Sequence, residues 1–152
     1  MKEQELKENL FKYCKSQLGV RRTAVDKILS NVALSLKEET KSSAGDKHET
    51  GRAMLQLERE NAGKQLAEIE KLEVILHRIS TEISSGPVHL GSIVKTSQAN
   101  YFIGVPVGEI KIQDEVYYAI GVRSPIGQLL LGKNEGDEVR FRESVIKIHT
   151  IY

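Results

Sequence analysis

Gly45-Asp46-Lys47-His48-Glu49-Thr50-Gly51-Arg52 separates two long segments of apolar periodicity, and its reading decides the fold. Upstream, Val25, Leu29, Val32 and Leu36 are spaced four, three, four, which is the narrow stripe of a two-helix seam. Downstream, Leu55, Ala62, Ile69 and Leu76 recur every seven residues, with Leu66, Leu72 and Ile79 beside them. Between the stripes, the small polar run Lys41 to Ala44 ends on Gly45, the permissive backbone of a tight turn. Facing stripes on a short connection predict an antiparallel helical hairpin with its tip near 42–50. Its second helix, about 34 residues at ~1.5 Å each, is roughly 50 Å long. Gly19 interrupts the first helix before Arg21, so a bend is expected after the turns carrying Leu6, Leu10, Phe11 and Leu18. Gly51 and Gly63 weaken the second helix locally, each by about 1 kcal/mol relative to Ala.

Asp46 and Glu49 admit two readings. As local structure, Asp46 is an N-cap worth roughly 1 kcal/mol, and Glu49 three residues later is the returning side of a capping box. As chemistry, residues at i and i+3 share a helix face. Two carboxylates can then converge on one point, hard oxygen ligands suited to a Mg²⁺ that something else also holds. On spacing alone the capping reading stands first. The two are compatible for Asp46 only where backbone N–H groups leave its carboxylate partly free.

Ser84-Ser85-Gly86-Pro87 closes the helical part, and the apolar period then changes to two. Strands are expected at Leu90–Thr96, Tyr101–Val105, Gly108–Ile112, Val116–Ile120, Glu138–Arg142 and Val145–Ile151. Among them, Ser124 as N-cap and Pro125 at the first helical position start a short helix that Gly132 stops. Aromatic residues follow the same division: Phe11 and Tyr13 lie near the start, the other six run from Tyr101 to Tyr152, and none falls between. The fold class is α+β: residues 1–84 form an N-terminal antiparallel two-helix coiled coil, and residues 85–152 an antiparallel β domain with one short helix.

Composition narrows the function. The chain has 152 residues, 22 basic and 21 acidic. Residues 1–86 carry 15 basic and 14 acidic, and residues 87–152 carry 7 of each. A direct grip on a nucleic-acid backbone needs clustered Lys and Arg, so a role near DNA or RNA runs through a protein partner. Cys14 is the single cysteine, which excludes an intrachain disulfide and fits a reducing compartment. No apolar run reaches the roughly 20 residues a membrane span needs, and MKEQELKENL is too charged for a signal peptide. A cytoplasmic protein without membrane contact is expected.

Other reactive residues read as structural. His48 is a helix-start histidine, and His77, His89 and His149 have no metal-ligand spacing. Cys14 lacks a histidine partner in a recognisable arrangement and reads as a packing cysteine. Leu129-Leu130-Leu131 reads as core. Gly104, Gly108 and Gly121 are turn or bulge glycines, since no G-x-G-x-x-G opens a helix after a strand.

Two motifs, in order and in the right contexts, resemble the bacterial Gre family of transcript-cleavage factors. The family's coiled-coil tip reads Gly-Asp-x-x-Glu-Asn, and Gly45, Asp46, Lys47, His48, Glu49 and Thr50 match it except at the last position. Its C-terminal domain carries Ser-Pro-Ile-x-x-x-Leu-x-Gly-Lys, which Ser124 to Lys133 match, and a Gly-Asp-x-Val-like turn follows at Gly136 to Val139. The resemblance covers roughly residues 21–152.

That resemblance implies an FKBP-like C-terminal domain and a partner, RNA polymerase, entered through its secondary channel. Asp46 and Glu49 would be the donated acids. They would help hold a Mg²⁺ shared with the polymerase, none being bound by the free chain, while the polymerase cleaves its own backtracked transcript by two-metal chemistry. Contact with nascent RNA would be indirect. The β domain would dock on the channel rim through Ser124, Pro125, Ile126, Leu130 and Lys133. The chain would be an accessory factor rather than an enzyme, monomeric when free. An FKBP-like fold does not bring prolyl isomerase activity with it, because fold alone is no sign of chemistry.

The tip departs from the family, which continues Glu-Asn-Ala-Glu-Tyr where this chain has Glu49-Thr50-Gly51-Arg52-Ala53. Lys47, His48 and Arg52 bring the tip close to neutral, which weakens attraction for Mg²⁺. Docking can survive that while cleavage is lost. A second reading is therefore a non-cleaving regulator that competes for the same channel. A third is a coiled-coil interaction protein unrelated to polymerase, its heptads serving self-association.

Overall fold

The computed structural model describes the backbone of residues 2–41 and 46–152; side chains are described outside residues 1 and 40–48. The expected turn at 42–45 lies outside the described residues. In chain order the elements are α1 (Glu3–Lys41), α2 (Asp46–His77), β1 (Ile93–Thr96), β2 (Asn100–Gly104), β3 (Gly108–Ile112), β4 (Glu115–Gly121), α3 (Pro125–Leu130), β5 (Glu138–Phe141) and β6 (Ser144–Ile151). The α+β class holds: a long helical hairpin precedes a six-stranded sheet with one short helix.

Packing divides the chain differently from element type. Residues 1–17 and 73–152 form one compact unit, and residues 18–72 another.

In the 18–72 unit, the seam holds Val25, Ala62 and Ile69, all buried, with Ile28, Leu29 and Leu66 packed against them. Glu39 on α1 lies beside Gly51 on α2, where an added β-carbon would stand 3.4 Å from Glu39 Oε1. These neighbours fix an antiparallel register. The 24 helical residues from 18 to 41 make about 36 Å of α1, at ~1.5 Å per residue. Gly19 does not interrupt α1, which is continuous. Its site is open, with nothing within 4 Å of an added β-carbon, and a cost near 1 kcal/mol cannot interrupt a helix held by packing on both sides. Gly51 and Gly63 likewise sit inside an unbroken α2.

In the other unit, the first turns of α1 bury Leu6, Leu10 and Cys14. They are tied to the chain beyond α2, which ends at His77 rather than at the Ser84–Pro87 signal. Gln4 Nε2 donates to Thr81 O at 2.7 Å, Ile83 N donates to Gln4 Oε1 at 3.2 Å, and buried Lys7 donates through Nζ to Glu82 O at 3.0 Å. Residues 3–17 are thus built into the sheet-bearing unit.

The sheet order is β3-β4-β2-β1-β6-β5. Neighbours are antiparallel except β2 and β4, which run parallel from Asn100↔Tyr117 to Gly104↔Gly121. The exception departs from the uniformly antiparallel sheet expected. It arises because the β3–β4 hairpin folds β4 back between β2 and β3. The hairpin turn, Gln113-Asp114, has φ of 47° and 65°, the two left-handed residues a tight two-residue connection needs. Consecutive residues Ile93 and Val94, and Phe102 and Ile103, are fully buried. Successive strand residues face opposite ways, so the sheet centre is covered on both faces. One face carries the cluster of Val94, Ile103, Val139, Ile146 and Ile148, capped by Leu130 of α3.

Candidate functional site

Two segments carry the sequence motifs, and they lie in different compact units. Asp46 is the first residue of α2, and Glu49 follows in the same turn. Glu49 is exposed. The Asp46 side chain, and so the expected convergence of the two carboxylates, lies outside the described residues, as do Lys47 and His48. A helix N-terminus favours negative charge through its aligned N–H dipoles, which suits acids at this position whatever else they do. Sequence reasoning missed Glu39, whose carboxylate lies over Gly51 and adds a third acid close to the first turns of α2. The signal was present: a short turn between antiparallel helices pairs residues symmetrically about it, and Glu39 then falls level with Gly51.

The second motif is a structural device first. Ser124, at φ −63° and ψ 154°, caps α3: its Oγ accepts from Gly127 N at 3.1 Å and donates to Gly121 O at 2.8 Å. Pro125 sits in the first turn, where its missing N–H costs nothing. An added β-carbon on Gly127 would stand 2.3 Å from Gly121 O, so only glycine lets α3 pass this close to the end of β4. Leu130 is fully buried, so its side chain belongs to the core and not to a docking face. Ile126 and Leu129 are partly buried against the same core. Gly132, at φ +78°, ends the segment, and its N–H donates to Val88 O at 2.9 Å. Lys133 O accepts from Val88 N at 2.9 Å, which leaves the Lys133 side chain exposed. Of the residues expected to dock, Pro125 and Lys133 are exposed, as are Arg123, Gln128 and Gly132 near them in sequence.

The following turn works as its sequence suggests. Gly136, at φ +88°, donates to Ile148 O at 2.8 Å, and Asp137 Oδ2 accepts from Asn134 N at 2.8 Å.

Several other titratable groups are held within the fold. Cys14 is fully buried, and burial pushes its thiol up to about 12. Tyr117 donates its O–H to Glu115 Oε2 at 2.6 Å, and Lys95 Nζ lies 3.5 Å from the same oxygen. Burial, then the bond to Glu115, hold the Tyr117 phenol above the ordinary tyrosine range. The Tyr117 hydrogen bond, then the Lys95 charge, hold the Glu115 carboxyl below the usual carboxylate range. His89 Nδ1 lies 3.0 Å from Pro87 O and 3.1 Å from Ser92 Oγ, and Nε2 lies 3.1 Å from Ser84 Oγ. The ring thereby pins the loop before β1. Among the described residues, no group of three His, Cys, Asp or Glu side chains could hold a metal ion, and no helix is long and apolar enough to cross a membrane.

No protein-family model matches the chain, and no curated protein matches it. A solved structure described as "Structure of the transcription factor Gfh1" aligns with 93% of this chain and 92% of that one, at 20% identity and a TM-score of 0.35.

Proposed function

We propose that this chain is a Gre-like transcription elongation factor, an accessory protein that enters the secondary channel of RNA polymerase and lends Asp46 and Glu49 to the Mg²⁺ at the polymerase's active site. The observation that carries the reading is the exposed Glu49 in the first turn of α2, three residues after Asp46, on an antiparallel helix pair. The Ser124–Lys133 motif supports it, with Pro125 and Lys133 as the side chains that face the polymerase. The factor binds no metal by itself. Two carboxylates on one helix turn are a weak site alone, and they become useful where a partner supplies the remaining oxygen ligands.

The test is transcript shortening in a stalled elongation complex. Wild-type protein should shorten the RNA, and Asp46→Asn and Glu49→Gln should each abolish that effect while polymerase binding persists. Absence of binding to polymerase overturns the proposal as a whole. Binding without shortening selects the second reading, a non-cleaving competitor, which Arg52 favours by placing a cation one turn after Glu49. That form should inhibit an authentic cleavage factor in proportion to its own occupancy of the channel.

A further inference from the structure

One edge of the sheet is an open strand whose charge pattern is its own complement. β3 lies at the end of the strand order and pairs with β4 in an unbroken register from Gly108↔Ala119 to Ile112↔Glu115. The two-residue turn Gln113-Asp114 closes on the Ile112–Glu115 pair, which is therefore hydrogen-bonded, and such pairs alternate along an antiparallel ladder. Ile112, Ile110 and Gly108 thus direct their backbone groups to β4. Glu109 and Lys111 point their N–H and C=O groups outwards. Both side chains are exposed, and among the described residues neither has a partner.

Charges on an edge strand ordinarily deter pairing. On β3 the deterrent fails for one approach. A second β3, running antiparallel across the free edge with a two-fold axis at Ile110, sets Glu109 of each copy against Lys111 of the other. These are the residues whose backbone groups point outwards, so each opposite-charge meeting is also a hydrogen-bonded pair. A slip of two residues sets Glu109 against Glu109, or Lys111 against Lys111, so charge specifies the register. The side chains fit as well. Glu109 stands opposite Tyr118 and Lys111 opposite Val116 in β4, so Tyr118, 40% exposed, continues the row on that side. On the other side, half-buried Ile112 falls opposite Gly108 of the second copy, which has no side chain to obstruct it.

The far edge is guarded. β5 also carries an acid and a base two residues apart, Glu138 and Arg140, but it is a residue shorter and α3 packs beside it. A bulge turns its start, where Gly136 N donates to Ile148 O and Asp137 O accepts from Ile148 N.

We propose that the free edge of β3 is a self-association site, through which two copies of the chain join their sheets across a two-fold axis. Main-chain hydrogen bonds supply the attraction, as in other cases of strand addition, and the Glu109–Lys111 meetings select a second copy over other strands. The association needs no polymerase, so it stands or falls independently of the function proposed above.

Sedimentation of the full chain, alone, over a concentration series reaching about 1 mM, tests the inference. A dimer mass is expected at the upper end. A monomer mass throughout overturns it, and so does growth beyond a dimer, which would need the β5 edge as well. Glu109→Lys and Lys111→Glu should each weaken the dimer about tenfold, because each sets like charges together twice in the symmetric pair. The exchange of both, Glu109→Lys with Lys111→Glu, should restore wild-type association to within about twofold, since it preserves both opposite-charge meetings. A contact between β3 and β5 would be worsened by that exchange. A dimer that the single changes leave unaltered, or that the exchange fails to restore, overturns the assignment to β3. Lys111→Pro removes an outward N–H, which an edge strand tolerates, and should abolish the dimer with circular dichroism unchanged. A dimer that persists in that variant counts against the edge, and if the variant does not fold, the charge exchange decides alone.

Discussion

A β-carbon on Gly127 would stand 2.3 Å from the carbonyl oxygen of Gly121, closer than any side chain is accommodated. That approach seats α3 on the end of β4, brings the Ser124 cap to Gly121 O, and lowers Leu130 into the core. Gly127→Ala should therefore destabilise the protein by about 1–3 kcal/mol, the usual cost of forcing extra volume into a packed site. Ser124→Ala, which removes only the cap, should cost about 1 kcal/mol. Urea denaturation of both variants checks the order of the two effects.

The β3–β4 turn holds Gln113 and Asp114 at positive φ, a region costly to side chains with a β-carbon. Replacing the pair with Asn-Gly (Gln113→Asn with Asp114→Gly) should stabilise the protein by about 1 kcal/mol, because those residues adopt the same turn with less strain. A raised urea midpoint with an unchanged denaturant slope is the expected result.

Gly51 lies within α2, and the nearest atom to an added β-carbon is Glu39 Oε1 at 3.4 Å, an ordinary contact. Gly51→Ala should gain about 0.5–1 kcal/mol from helix propensity and unfolded-state entropy. Gly19→Ala, in open space, should gain a similar amount. Thermal melts of the two variants would show it as raised midpoints.

Tyr117 and Glu115 make stability depend on pH at both extremes. The phenol, raised by burial and by its bond to Glu115, contributes stability that is present below the ordinary tyrosine value and lost as pH rises beyond it. The carboxyl, lowered by the Tyr117 bond and by Lys95, contributes stability that is present above the ordinary glutamate value and lost as pH falls through its own lower value. Tyr117→Phe should flatten both arms of a stability–pH profile followed by urea midpoints. Equal slopes in wild type and variant would count against the assignment.

With its thiol raised to about 12 by burial, Cys14 holds almost no thiolate at neutral pH. A thiol reagent at pH 8 should label native protein far more slowly than protein in denaturant. Labelling should speed up in Leu10→Ala, which opens a cavity in the buried N-terminal turns.

The candidate site was partly legible in the sequence. The Ser-Pro start of α3 with Gly132 at its end is a local signal, and α3 and the turn at Gly132 sit where it puts them; α2 begins at Asp46 itself, the residue expected as its cap. The residues expected to dock were less so. Ile126 and Leu130 share a motif with Pro125 and Lys133, yet Leu130 is core and Pro125 is exposed. Motif membership does not say which side chain meets the sheet; helix orientation over the strands does.

What the residues alone determined were the kinds of element and their order, because apolar period, caps and turn glycines act within a few residues of each other. The β3 range emerged unchanged, and the other strands shifted by a few residues at their ends. Only the tertiary structure decided that β4 enters between β2 and β3, that residues 3–17 join the sheet-bearing unit, and that Glu39 lies over Gly51. Those relationships join residues far apart along the chain. An alternating or heptad pattern is satisfied equally by many partners, and the choice among them is made by which arrangement buries all the apolar faces at once.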